Sequence, residues 1–71
     1  MDNNIGKNIA IYRKSKGVLQ KYLAKQSGIS VQGLHKIEKG LANPRVDTLA
    51  KIIEVLAITP NQVFGVEEHT K

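Results

Sequence analysis

Cysteine is absent from the 71 residues, so neither a disulfide framework nor a thiolate zinc site staples the fold, and a reducing compartment is the expected setting. Long apolar runs are absent too. No segment approaches the ~20 apolar residues that span a bilayer, and the start MDNNIGKNIAIYRK lacks the apolar stretch of a secretion leader. A soluble, cytoplasmic protein is therefore expected. A membrane-surface role is disfavoured, because the basic residues are spread over several short segments rather than along one amphipathic helix with a tryptophan or phenylalanine face. Catalytic equipment is equally thin. With no thiol, two separated histidines and no paired carboxylates, an enzyme is not expected, and no cofactor or small-molecule ligand is implied. His35 and Glu38, spaced i and i+3, fall short of a metal coordination set. There is no internal repeat, low-complexity tract or interdomain linker. The expected organisation is one domain, 1–65, with 66–71 a fraying tail too poor in apolar residues to pack. A chain this short buries only about 60% of its unfolded surface, which leaves it marginally stable alone and favours a dimer.

Acidic residues are scarce in the first half. Residues 1–39 hold eight lysines and arginines against Asp2 and Glu38, a net +6, whereas residues 40–71 carry −1. A positive field confined to one half suits a polyanion such as nucleic acid, with a solvated lysine face as the bland alternative.

What the chain does have is helical periodicity broken by glycine. Ile5, Ile9 and Tyr12 mark one side of a helix from about Asn3 or Asn4 to Lys16, capped by Gly17. The stretch Gln20 to Lys39, QKYLAKQSGISVQGLHKIEK, has the layout of two short helices joined by a tight turn, a helix-turn-helix. Leu23 and Ala24 face inward on a helix over roughly Gln20 to Ser27. Gly28 permits the positive φ of the turn, and Ile29 plugs it. Ser30 caps a third helix from roughly Val31 to Lys39, with Leu34 and Ile37 inward and Gly40 ending it. Pro44 makes Leu41 to Arg45 a loop. A fourth helix follows from about Val46 to Ala57, its apolar face built from Val46, Leu49, Ile52, Ile53 and Leu56. The fifth is signalled by a capping box of Thr59 and Gln62, Pro60 at its first position, and a hydrophobic staple of Ile58 and Val63. The expected fold is all-α, a compact five-helix bundle without strands.

At these positions the chain resembles the lambda-repressor-like helix-turn-helix family of phage repressors, Cro proteins and small bacterial regulators. The resemblance rests on Ile5-Gly6 with Ile9 and Arg13, Gly17, Gln20 with Leu23-Ala24, Gly28-Ile29-Ser30, Leu34 with Ile37-Glu38, Gly40, Asn43-Pro44, Leu49 and Leu56, and covers about residues 5–65. It implies a regulator that binds double-stranded DNA as a homodimer on a partly palindromic operator, with the third helix in the major groove. The residues so implied to meet base edges are Val31, Gln32, His35 and Lys36. Gln32 suits adenine, Lys36 guanine, and Val31 a thymine methyl. Against this, Val31 could close the turn, and Gln32 and Lys36 could be plain solvated residues. Gln20, Lys39, Asn43 and Arg45 are the implied phosphate contacts, with ordinary helix capping the alternative for Gln20. Ile58, Val63 and Phe64 are candidates for the dimer contact, or else simply cap the core.

The resemblance also implies an ion pair between Arg13 and Glu38, which would make both structural. Two positions depart from the family pattern. Leu19 stands where a serine, threonine or asparagine usually caps the second helix, and Gly33 sits inside the third. Gly33 implies either a helix that is loose until DNA orders it or a close backbone approach. A protein-interaction module, such as an antitoxin-like or anti-repressor partner, is the competing function.

Overall fold

In the computed structural model, which describes residues 5–66, every helix stops in the same way. The chain folds into α1 (Ile5–Ser15), α2 (Gln20–Ser27), α3 (Val31–Glu38), α4 (Val46–Leu56) and α5 (Pro60–Phe64). After each, one residue turns into the left-handed region and two backbone N–H groups fold back onto the last turn: Val18 to Arg13 and Gly17 to Lys14, for example, or Ile29 to Ala24 and Gly28 to Lys25. Four of the five reversal residues are glycines; the fifth is Ala57, at φ 55°.

The helix starts differ in how well they are secured. Ser30 Oγ accepts the Gly33 N–H at 2.9 Å, and the Thr59–Gln62 capping box is complete, with Pro60 behind Thr59. Leu19 offers α2 no side-chain cap, as its type dictates. The expected start of α1 at Asn3 or Asn4, and the tail beyond Val66, lie outside the described residues.

Eight-residue helices such as α2 and α3 are unstable alone in water, so packing must hold them. Ile9, Leu23, Leu34, Ile52, Leu56 and Val63 are fully buried, joined by Ala24, Ile37 and Ile58. Burying a side chain of this size contributes about 1.5–3 kcal/mol. α2 lies between α4 and α3, and α1 packs across α3 and α5. Gly6, buried on α1, brings that helix onto the backbone of α3, where an added Cβ would strike the Ile37 carbonyl.

One expected core residue is not there. Val46 is 87% exposed, because it is the first residue of α4 and projects beyond the bundle; Thr48 is buried in its place, one turn before Ile52. Ala57, expected inside that helix, is the residue that ends it.

Candidate nucleic-acid interface

The two faces of α3 are sharply divided. Leu34 and Ile37 anchor it in the core, while Val31, Gln32, His35 and Lys36 all project outward into solvent. Val31 is 42% exposed, so it is no buried plug of the turn. Together with Gln20, these four line an open cleft of about 500 Å³. Among the described residues Gly33 does not serve the backbone of another element: beyond its own helix backbone, the one atom near its absent Cβ is Ser30 Oγ, at 3.1 Å. The glycine therefore leaves room for the capping hydroxyl rather than for another helix.

Behind this face lies a buried ion pair. Arg13 Nε donates to Glu38 Oε2 at 2.7 Å, its second terminal nitrogen to Glu38 Oε1 at 3.1 Å, and its first to the Val18 carbonyl at 2.8 Å. Both side chains are at most 10% exposed. Gln20 completes the group, its Nε2 donating to Glu38 Oε1 at 2.8 Å. Helices α1, α2 and α3 are thus tied at one carboxylate, which also makes Glu38 unavailable as a metal partner for His35. The fork of an arginine matches a carboxylate in this two-bond geometry, which a lysine at position 13 would not reproduce.

Of the expected phosphate contacts, Lys39, Asn43 and Arg45 are exposed at the end of α3 and in the loop that follows. Arg45 Nε lies 3.8 Å from Asp47 Oδ1 with both side chains in water, a pairing too weak to hold it. Gln20 is the exception: its amide is engaged by Glu38, so it faces the cleft as a bridge between helices rather than as an open donor. The uncapped start of α2 leaves main-chain amides there without a side-chain acceptor among the described residues.

The three residues put forward for a dimer contact separate. Val63 is fully buried and Ile58 only 7% exposed, because the staple that secures α5 turns both into the core. They are core residues, and a surface role for them is corrected accordingly. Phe64, 49% exposed, is the one that reaches the surface.

Sequence reasoning missed two features. The Gln20–Glu38 bond spans 18 residues and follows no local pattern. Lys14, counted only as charge, stands with Ala10 one turn before it on a second cleft between α1 and α3; that i, i+4 spacing was the available signal.

No helix among the described residues is long and apolar enough to cross a membrane. Residues 9–63 match the family model described as Helix-turn-helix. The chain is 41% identical over 64 residues to the HTH-type transcriptional regulator SlrR of Bacillus subtilis, covering 89% of this chain and 42% of that protein. It is 36% identical to the uncharacterized HTH-type transcriptional regulator y4dJ of Sinorhizobium fredii, covering 78% of this chain and 71% of that protein. It is also 32% identical to the HTH-type transcriptional regulator SinR of Bacillus licheniformis, covering 94% of this chain and 61% of that protein. The chain thus spans about two fifths of SlrR and three fifths of SinR. No solved structure gives a significant match. The chain belongs to the lambda-repressor-like helix-turn-helix family of transcriptional regulators.

Proposed function

We propose that the protein is a sequence-specific DNA-binding repressor that occupies a partly palindromic operator as a homodimer in the cytoplasm. The observation that carries this reading is the division of α3: two side chains hold it in the core, and the four between and beside them stand in solvent beside a basic surface. A helix presented this way fits a major groove about 12 Å wide.

Each outward residue then has a task set by its chemistry. Gln32 donates and accepts together, the pattern that pairs with adenine N6 and N7; Lys36 suits guanine O6 and N7; Val31 offers a methyl contact to thymine. His35 borders the same cleft. Lys39, Asn43 and Arg45 take phosphates, and the open amides at the start of α2 take another where a helix dipole favours an anion. Two copies would set their α3 helices about 34 Å apart along one side of the duplex. Of Ile58, Val63 and Phe64, only Phe64 is exposed enough to contribute to a contact between copies.

Selection from random double-stranded oligonucleotides tests the reading directly. A half-site repeated at one-turn separation is the expected outcome. Gln32→Ala should relax discrimination at one base position by ~1–3 kcal/mol, whereas Lys39→Ala should weaken every sequence alike. If no sequence is enriched, the reading is wrong and the surface serves a protein partner instead. Sedimentation showing monomers at high micromolar concentration, with and without DNA, removes the dimer.

A further inference from the structure

Lys14 takes no part in the surface assigned above, yet it stands on the rim of a second cleft. This cleft, of about 300 Å³, opens where α1 meets the start of α2 and the end of α3. Its rim carries Lys14, His35 and Lys39, all exposed, over a floor of Arg13, Glu38 and Gln20.

The charge of that floor is already balanced. Glu38 Oε2 is taken by Arg13, and Oε1 by both Arg13 and Gln20, so the one acid in the cleft has no oxygen without a donor. Among the described residues neither Lys14 nor Lys39 has an ion-pair partner. The cleft is therefore lined by two ammonium groups and an imidazole, and its own acid is already paired. Such a surface suits a compact oxyanion bearing several acceptors. Gln20 and His35 also line the cleft in front of α3, so the two depressions adjoin across that pair.

The geometry points to a backbone phosphodiester of bound DNA seated between Lys14 and Lys39, which extends the footprint from α3 onto α1. This rests on the DNA-binding reading above. His35 then donates to this phosphate rather than reading a base edge, and Lys14 is a phosphate contact on a helix otherwise occupied with the core. The contact positions the protein and carries no sequence preference.

The test uses the whole chain and a duplex of arbitrary sequence, about 20 base pairs long, titrated by fluorescence anisotropy between about 50 and 200 mM salt. Wild type is compared with Lys14→Gln and with Lys51→Gln, which removes the same charge from an exposed site on α4 that lines neither cleft. Both side chains are exposed, so neither exchange disturbs the core, as circular dichroism should verify. Loss of one phosphate contact lowers the log–log salt slope by about 0.9, so between about 50 and 200 mM salt the variant's affinity falls about three-fold less than that of wild type. Lys14→Gln should show that loss for every sequence, and Lys51→Gln should leave the slope unchanged. Equal slopes for wild type and Lys14→Gln overturn the proposal while the DNA-binding reading stands. An equal loss in Lys51→Gln reduces the effect to net charge and also overturns it. A wild type that binds no duplex overturns both. Amide resonances of Lys14 and His35 that shift with inorganic phosphate but not with duplex would assign the cleft to a small anion, and the proposal would fall.

Discussion

Gly6 and Ile37 meet with no side chain between them: the α-carbon of the first faces the carbonyl of the second, and α1 and α3 touch backbone to backbone. A methyl group at position 6 would occupy the space of that carbonyl. Backbone cannot rotate away as a side chain can, so Gly6→Ala should cost about 3 kcal/mol, the upper part of the overpacking range. For a domain of this size that lowers the melting temperature by more than about 10 °C, measurable by circular dichroism. A shift of only a degree or two would mean that the helices stand farther apart.

Arg13 and Glu38 depend on each other for solvation. Removing either strands the other's charge in a site at most 10% exposed, so Glu38→Ala and Arg13→Ala should each cost about 3 kcal/mol. Replacing both together should cost clearly less than the sum, because no lone charge remains. Denaturant unfolding of the two single variants and the double variant measures this, and additive losses would show the pair to be uncoupled.

Ala57 holds the one left-handed conformation in the described chain that is not assigned to glycine. That conformation costs an L-residue about 1–2 kcal/mol, while glycine loses about 0.4–1 kcal/mol through its freer unfolded state. Ala57→Gly should therefore raise stability by about 0.5–1 kcal/mol, seen as a melting temperature a few degrees higher. A lower melting temperature would contradict the strain assigned to this turn.

Ser27 closes α2 with a buried hydroxyl that has no hydrogen-bond partner among the described residues. Such a group gives up its water without replacement. Ser27→Ala also gains helix propensity, and together these should add about 1 kcal/mol to unfolding in urea. A loss of stability would mean that the hydroxyl does bond to a partner.

Most of the fold was legible because its signals are local. Glycine after each of four helices, Ser30 before α3, and the Thr59–Pro60–Gln62 cluster each act within a few residues, and each element lies where those signals put it. The apolar repeat placed Leu23, Ala24, Leu34 and Ile37 inward, and resemblance supplied the Arg13–Glu38 pair. Errors arose where periodicity alone was followed to an element's end. Val46 has the right spacing for the core but sits at the first turn of α4, where no other helix covers it. Ile58 and Val63 illustrate the opposite failure: apolar residues near a terminus suggested a surface patch, and tertiary packing absorbed them. The hydrogen bond from Gln20 to Glu38 and the contact of Gly6 with Ile37 join distant segments, and nothing in the local sequence announces either.

The separation of anchoring and outward residues on α3 has an evolutionary corollary. Positions 31, 32, 35 and 36 bear little of the bundle's cohesion, since Leu34 and Ile37 supply it. Descendants can therefore vary those four positions while inheriting an intact scaffold.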